Sequence, residues 1–273
     1  MPEARTGHCT IDLRVDAHVH VYPFMSVAAT LDAAAHNLFE EHAGGPRHGV
    51  LLVADPEGVD GWERLARSAR AGRWQRVGID GDAVTFRRDD DVELAAVKGQ
   101  QLVSREGLEV LGTGCRARVP SGLPVADIVE RIRAAGGLAI LAWGAGKWLG
   151  DRGRVVDDVI ARESGRTDVM LADNGGRPRL WPRVPQFETA AEHGLRVLAG
   201  TDPLPLRGEE RRIGSYGVRV RVRVPGGPAA LQDALRRPEV PVEIVGRRVT
   251  TPRFAAGQLR LRLARAATGK GAP

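Results

Sequence analysis

The chain has 273 residues, a length that suits one large α/β domain. Its 40 lysines and arginines exceed its 34 aspartates and glutamates, but no nucleic-acid-binding motif and no row of stacking aromatic residues accompanies this charge. We therefore expect an anionic small molecule, rather than nucleic acid, as the partner. No stretch approaches the ~18 apolar residues of a membrane span. The absence of an apolar run typical of a secretory signal, together with only two cysteines, predicts a cytoplasmic protein.

Short apolar strands alternate with amphipathic helices almost from end to end, which predicts βα units. The first strand is "TIDLRVDAHV", and a helix is expected after the N-cap residue Ser26. Between about 76 and 112, short strands with tight turns predict an antiparallel insertion. The alternation then resumes as far as "GVRVRVRV", which predicts a half-exposed strand with its arginines toward water. The last residues, 251–273, form a basic tail.

Polar residues follow the apolar runs at six predicted strand ends. Because the carboxyl ends of parallel strands in a barrel build one face, these residues are expected to lie near one another. Aspartates that open turns or cap helices would explain two or three of the six sites, but not two histidines among them. The six sites are Asp16 with His18 and His20, Asp55, Gln101, Trp143, Asp173 and Asp202.

The first of these sites has the pattern Asp-x-His-x-His. Side chains two apart on a strand share a face, so Asp16, His18 and His20 are expected to point into a common mouth. Neutral imidazole is a good ligand for zinc, manganese or iron, which favours one divalent metal here. A pair of hydrogen-bonded histidines at an ordinary strand end is the alternative that stays open.

Two loops, "WGAGKWLGDRG" at 143–153 and "ADNGGRPRLWP" at 172–182, combine glycines, cations and tryptophans. Glycines let backbone N–H groups approach a ligand, and lysine or arginine in such a loop can hold phosphate or carboxylate. The loops therefore predict an anion clamp with aromatic walls, or else two turns whose tryptophans cover the rim. The candidate substrate-binding residues are Trp143, Lys147, Arg152, Asn174 and Arg177, with Gln101 from its own strand end.

Five segments in order resemble the PHP (polymerase and histidinol phosphatase) family of metal-dependent hydrolases, over residues 11 to 217. The opening "VDAHVH" resembles the family's D-x-H-x-H, "GVLLVADPEG" its strand ending in T-D-H, and "KGQQLVS" with "LEVLGTG" its G-x-E segment and histidine strand. "AAGGLAILAWGAG" resembles the A-G-G…A-H-P strand, and "AAEHGLRVLAGTDPL" the closing G-S-D-x-H. The resemblance implies a distorted (β/α)7 TIM-like barrel as a single domain over 1–250.

The chain departs from the family at several ligand positions. In place of family ligands it has Pro56, Gln101, Leu111 and Trp143, and no histidine follows Asp202. The ligands that remain are His18, His20 and Asp202. Three groups cannot hold the two or three metals of the family, but they can hold one with open positions for water or substrate.

The resemblance leads to two main hypotheses about function. The first is a single-metal, phosphoesterase-like hydrolase of a phosphorylated or otherwise anionic small molecule, with Asp202 and His20 as the catalytic residues. In it, Lys147 and Arg177 hold the developing negative charge. The second hypothesis is a barrel that has lost its chemistry and binds a ligand or partner. In the single-metal hypothesis, three aspartates are expected to orient the metal ligands through hydrogen bonds without binding the metal themselves: Asp16, Asp55 and Asp173.

Overall fold

The computed structural model describes residues 10–40, 47–181, 183–223 and 227–267, and its strands form two open sheets of eight and five strands. The strands are β1 (Thr10–Val19), β2 (Arg47–Val53), β3 (Arg70–Ala71), β4 (Trp74–Asp80), β5 (Ala83–Arg88), β6 (Val92–Val97), β7 (Gly99–Val103), β8 (Glu109–Thr113), β9 (Leu138–Ala142), β10 (Val169–Asn174), β11 (Arg196–Gly200), β12 (Tyr216–Arg223) and β13 (Val242–Gly246).

Helices connect many of these strands, and the first begins where its cap predicts. The Ser26 Oγ accepts a hydrogen bond from the backbone N of Ala29, which satisfies one of the free N–H groups at the helix start. The helices are α1 (Val27–Phe39), α2 (Gly61–Arg67), α3 (Val125–Ala134), α4 (Asp151–Arg162), α5 (Pro185–Glu192), α6 (Pro228–Arg236) and α7 (Thr251–Ala267), with a 3₁₀ turn at Glu209–Arg212.

Parallel and antiparallel pairing are mixed in both sheets. The large sheet has the order β13-β12-β1-β2-β6-β5-β4-β3, with β1, β2 and β6 parallel to one another. The small sheet has the order β11-β10-β9-β8-β7, with β9, β10 and β11 parallel. The segment in which antiparallel strands were expected, 76–112, contributes to both sheets.

The main core lies between the two sheets. Leu13 and Val15 of β1 pack in one cluster with Leu111, Ile140 and Leu198 of the small sheet, and none of these side chains is more than 1% exposed. Burying a side chain of this size stabilises the fold by about 1.5–3 kcal/mol. The cluster therefore fixes β1, which carries the histidines, against the sheet that leads to Asp202.

The expected closed (β/α)7 TIM-like barrel is wrong, because the two sheets stay open. The free edge of β1 pairs with β12 and that of β2 pairs with β6, so neither edge is left for a strand of the small sheet. Among the described residues, the backbone hydrogen bonds between the two sheets lie at the ends of strands. The Asp202 backbone N donates to the His18 O at 2.8 Å, and an isolated bridge joins Asp55 to Gln100.

The alternating segment near the C-terminus is a strand, as predicted. The three valines of β12 are buried at 3% exposure or less, while the Arg221 Nε lies 3.1 Å from the Asp12 Oδ1 on the neighbouring strand. Helix α7 packs Phe254 edge-on against Trp181 at a ring separation of 6.3 Å. The last residues of the basic tail, 268–273, lie outside the described residues. Every helix that the structure describes is too short or too polar to cross a bilayer.

Candidate metal centre

Two histidine side chains lie side by side at the end of β1, at one end of the core. The pairing of β1 with β2 shifts its register between Asp16 and Val19, so the strand is irregular where the histidines occur. The rings of His18 and His20 lie 4.7 Å apart at 76° to each other, and the residues are 1% and 2% exposed. Imidazoles this buried need polar partners, because an unpaired buried polar group is costly.

Asp202 provides the third polar group, directly after β11. Its backbone has a φ of 48°, in the left-handed region that few residues other than glycine adopt, and its N–H donates to the His18 O. Its Oδ1 lies 3.1 Å from the His20 Nε2 and 3.7 Å from the His18 Nε2. One ligand atom from each of the three residues lies within 4.8 Å of the other two, so the group could hold a metal ion.

A glycine makes this approach of β11 to β1 possible. A Cβ on Gly200 would lie 2.5 Å from the His18 Cβ and closer still to its backbone N. Real Cβ atoms do not come this close to other heavy atoms, and neither strand is free to move. The glycine at the end of β11 is therefore part of the architecture of the centre.

The second nitrogen of His20 is fixed by the backbone. The His20 Nδ1 lies 2.6 Å from the Ala54 O, and since a carbonyl can only accept, the Nδ1 carries the proton. The Nε2 then faces Asp202, to which it donates a hydrogen bond when it is protonated, and its lone pair could bind an ion when it is not. Metal-binding histidines usually have such a partner for their other nitrogen.

Gln101 lies on the other side of His18. Its Oε1 is 3.1 Å from the His18 Nε2, so this nitrogen faces both an amide oxygen and, at 3.7 Å, the Asp202 carboxylate. In the absence of an ion, the Nε2–H donates to Gln101. An amide oxygen is itself a ligand for divalent cations, so Gln101 could supply a fourth protein atom.

Asn174 holds the Asp202 carboxylate in place from behind. Its Nδ2 donates to the Asp202 Oδ2, and its Oδ1 accepts from the Gly176 N at 2.6 Å. Both ends of the Asn174 amide are thus used, which fixes its orientation. The side chain predicted to bind substrate is in contact with the predicted metal ligand.

The pKa values of His18, His20 and Asp202 depend on one another and on burial. Burial lowers the pKa of His18, and the neighbouring His20 acts in the same direction. Burial also acts to lower the pKa of His20, but the hydrogen bond and the charge of Asp202 outweigh it and raise the pKa. At Asp202 burial favours the neutral acid, yet the two imidazoles lower its pKa below the usual range. The centre therefore combines an ionised carboxylate with a His18 ring that favours its neutral form.

Asp16 does not join the ligand atoms, although the strand pattern predicted a shared face. Its Oδ1 accepts from the backbone N of Thr201 at 2.8 Å and of His18 at 3.2 Å, and its Oδ2 accepts from the Gly214 N at 2.8 Å. The residue is fully buried, and burial raises its pKa to about 6 although these hydrogen bonds oppose the shift. Asp16 therefore ties together the two backbone segments that carry His18 and Asp202.

The other two aspartates lie in different surroundings. The Asp173 carboxylate makes two hydrogen bonds with the Arg177 guanidinium, at 2.7 and 2.5 Å, and accepts from the Tyr216 hydroxyl at 2.7 Å. Asp55 accepts from the Trp62 N at 2.9 Å, while its buried Oδ1 has no hydrogen-bond partner among the described residues. Burial raises the pKa of Asp55 to about 6.

The candidate clamp residues of the 143–153 loop are engaged within the protein. The Lys147 Nζ lies 2.6 Å from the Glu109 Oε1, and an Arg152 nitrogen donates to the Gly146 O at 3.0 Å. Trp143 is 3% exposed and packs edge-on against Trp181 at a ring separation of 5.4 Å. Arg177 of the second loop is only 8% exposed and is paired with Asp173, as described above.

Glu109 is a site residue that sequence reasoning missed. It lies two residues before the inward-facing Leu111, which pairs directly with Gln101, so Glu109 and Gln101 share a face as diagonal neighbours. Its charge also acts to raise the pKa of His18 and His20. The alternation of "LEVLG" could have identified it, because a two-residue period places Glu109 on the face of Leu111.

A cleft of about 960 Å³ opens beside the centre, with Asp55 and Gln101 in its wall. Cations and carboxylates both line it, and some of them are paired, such as the Lys98 Nζ with the Glu63 Oε1 at 2.7 Å. Of the residues around the candidate ligands, Gln101 and Asp55 line the cleft, whereas His18, His20 and Asp202 do not. Its other charged residues are Glu57, Asp60, Asp82, Arg116 and Arg118.

No protein-family profile and no curated protein matches the chain. Solved structures of similar fold include PsfC from Pseudomonas syringae PB-5123, with 14% identity and a TM-score of 0.55, covering 93% of this chain and 98% of that one. They also include the lesion-specific endonuclease PfuEndoQ from Pyrococcus furiosus, with 13% identity and a TM-score of 0.55. That match covers 86% of this chain but 58% of the endonuclease.

At such low identity these similarities concern the fold alone. They nevertheless overturn the expectation that set nucleic acid aside as a partner, because a chain of similar fold is a nuclease. Net charge and the lack of a motif describe the whole chain, and they are a weak guide to what a local site contacts. Nucleic acid therefore stands beside small anions as a partner to be tested.

Proposed function

We propose that this protein is a metal-dependent hydrolase related to the PHP family, which holds one divalent ion on His18, His20 and Asp202 and cleaves phosphate esters. The observation that carries the proposal is the convergence of two imidazole nitrogens and one carboxylate oxygen within 4.8 Å. The two histidines lie at the end of β1 in the large sheet, and Asp202 follows β11 in the small sheet. The three donors therefore come together only when the two sheets pack against each other.

The donor set fits one ion of the zinc, manganese or iron type. The proton on the His20 Nδ1 leaves its Nε2 free to bind, and the ionised Asp202 offers an oxygen at 3.1 Å from that nitrogen. Three protein ligands leave positions open, as catalytic sites require. Two neutral imidazoles and one carboxylate around a divalent ion leave a net charge near +1, which favours an anionic substrate.

The chemistry that such an ion supplies is a coordinated water with a pKa lowered toward ~7 and a polarised phosphoryl group. The protein's own groups do the rest. Asn174 keeps the Asp202 carboxylate directed at the histidines. Of the two proposed catalytic residues, His20 would hold the ion, with both ring nitrogens engaged, and Asp202 is the group that could accept a proton from the attacking water. Lys147 stands beside Glu109 on the Gln101 side, where a cation can stabilise charge that develops on a phosphoryl oxygen.

The choice of a phosphate ester is supported by the name of one structure of similar fold. The similar structure whose name describes a reaction is a lesion-specific endonuclease, and an endonuclease cleaves phosphodiesters.

The direct test is metal content together with hydrolysis. Protein freed of metal is titrated with zinc and with manganese, and the bound ion is counted. A monoester, ribose 5-phosphate, and a diester, a short single-stranded DNA, are then offered. We expect one ion per chain and metal-dependent release of phosphate or of shorter strands.

Variants decide whether the three residues are responsible. His20→Ala and Asp202→Asn should each abolish both metal uptake and hydrolysis, while His36→Ala, a change to an exposed helical histidine, should alter neither. A metal content near zero after addition of both ions would overturn the proposal. The binding-only hypothesis would then take its place.

A further inference from the structure

Three aromatic rings in a row lead away from the candidate metal centre. The Tyr22 ring lies 5.6 Å from the His20 ring, and the Phe24 ring lies 5.7 Å from Tyr22 and nearly parallel to it, at 8°. These are the separations of favourable aromatic contacts. Because the first ring belongs to a metal ligand, the row joins the centre directly to the surface.

Phe24, at the outer end of the row, is exposed. Of the phenylalanine, tyrosine and tryptophan residues that the structure describes, it is the most exposed, at 37%. The chain has only twelve such residues, five Phe, five Trp and two Tyr, and most of those described are buried or half-buried. A single exposed apolar side chain is common on a protein surface, so what sets Phe24 apart is its stacking with Tyr22 beside the centre.

The turn that carries these rings is held rigidly. The Arg64 guanidinium donates to the Tyr22 O at 2.7 Å and to the Met25 O at 2.8 Å, and the Met25 N donates to the Tyr22 O at 2.9 Å. A platform that is already ordered loses little conformational entropy when a ligand stacks on it.

A cation from the segment that follows Asp202 completes the arrangement. The Arg207 guanidinium carbon lies 5.8 Å from the centre of the Phe24 ring. Arg207 is exposed, has no carboxylate within 4 Å among the described residues, and has its backbone O bound by an Arg260 nitrogen at 3.3 Å. Phe24 follows the metal ligand His20 by four residues and Arg207 follows Asp202 by five, so both are anchored to the centre.

We propose that Tyr22, Phe24 and Arg207 form a subsite that binds a planar aromatic group, such as a nucleobase, attached to the phosphate that reaches the metal centre. Flat rings stack on aromatic side chains, and arginine adds a cation–π contribution. The proposal rests on the proposed function for the position of the phosphate. A base in a free nucleotide and a base in a single strand have this chemistry in common.

The test compares two ligands that differ only in the base. The full-length protein without added metal is titrated calorimetrically with adenosine 5′-monophosphate and with ribose 5-phosphate, so that no hydrolysis interferes. We expect the nucleotide to bind about tenfold more tightly, within the range found for one base stacked on an aromatic side chain. Phe24→Ala should reduce this preference to nearly one, and Phe24→Leu should leave a small part of it.

Matched variants separate the subsite from general effects. Arg207→Gln should weaken the preference, while Val77→Ala, a truncation of an apolar side chain that is 45% exposed on β4, should leave it unchanged. Thermal unfolding of each variant checks folding. If Phe24→Ala fails to fold, Phe24→Leu and Arg207→Gln decide the question.

Equal affinities for the two ligands, or a preference that survives both Phe24→Ala and Arg207→Gln, would refute the subsite. Such a result would leave metal-dependent hydrolysis intact, whereas a preference without any metal uptake would leave the subsite and remove the proposed function. A ten-nucleotide single-stranded DNA identifies the source of the base. Tighter, strongly salt-dependent binding that needs Phe24 assigns it to nucleic acid, and affinity equal to that of the mononucleotide assigns it to a free nucleotide.

Discussion

The ends of β1 and β11 and the two glycine-rich loops differ in what surrounds their polar side chains. At the strand ends, His18, His20 and Asp202 face one another, and both histidines have Asp202 as their ion-pair partner. In the loops, each predicted cation meets a local acceptor, as Lys147 meets Glu109 and Arg177 meets Asp173. The backbone at a strand end is held by its neighbours and directs short side chains, whereas a long side chain in a loop can pair with any acceptor within its reach.

The largest effect on metal binding is expected from a change that separates the strand ends themselves. Gly200→Ala places a methyl group against the backbone of His18, where nothing can move aside, and should cost about 3 kcal/mol of unfolding free energy. It should also abolish metal uptake, because β11 can no longer bring Asp202 to the histidines. Urea unfolding and metal counting measure the two effects.

Gly78→Ala is the matched control, since a Cβ there has no atom within 4 Å. It should change the unfolding free energy by less than about 0.5 kcal/mol. If Gly200→Ala behaved like this control and still took up metal, the close approach of the two strands would not be what assembles the centre.

The second prediction tests whether Arg177 of the glycine-rich loop stabilises the fold or binds substrate. Arg177→Met leaves the buried Asp173 carboxylate without its cation, which should lower the unfolding free energy by about 3–5 kcal/mol. Arg183→Met, at an ion pair whose arginine is 85% exposed, should cost less than about 1 kcal/mol. Chemical denaturation compares them. If the Arg177→Met protein had unchanged stability but a raised KM, Arg177 would be a substrate-binding residue and not a structural one.

The sequence predicted the elements of the fold better than their assembly. Strand alternation in "GVRVRVRV" and the N-cap Ser26 are local signals, and both correspond to the structure. Whether the barrel closes depends on which strands pair with the free edges of β1 and β2. In the structure β12 pairs with β1 and β6 pairs with β2, and these pairings join residues far apart in sequence. The run "VDGWERLARSARAG" predicts a helix that is closed by Gly72, but α2 ends at Arg67 and Arg70–Ala71 joins the large sheet.

Within the candidate site, too, local features could be predicted from the sequence and long-range contacts could not. The spacing of His18 and His20 predicts their common position, and the run before Asp202 predicts a strand end. The Asp16 side chain could not be placed, because the irregular register after it and its contacts with Thr201 and Gly214 are tertiary facts. The aromatic row at Tyr22 and Phe24 was overlooked, since two rings in an ordinary turn have no sequence motif.

A smaller effect is expected from the amide that orients the carboxylate. Asn174→Ala removes the hydrogen bond to the Asp202 Oδ2 while leaving all three metal ligands in place. Loss of a group that orients a ligand typically weakens metal affinity by about 10–100-fold, and we expect a value in this range. Competition with a chelating dye measures it. Unchanged affinity would mean that the backbone alone fixes Asp202.

The smallest effect concerns Asp55, whose pKa is raised to about 6 by burial. A carboxyl group with a higher pKa in the folded state than in the unfolded chain stabilises the fold at low pH, and this contribution is lost as the pH rises from about 4 to about 6. Since Asp55 is only partly buried, we expect a loss of about 1–2 kcal/mol. Asp55→Asn cannot titrate, so the difference in unfolding free energy between the wild type and this variant should change over that interval, as measured by urea unfolding at pH 4 and pH 7. A constant difference would mean that Asp55 is already ionised at pH 4, and hence that its buried Oδ1 is better solvated than its surroundings indicate.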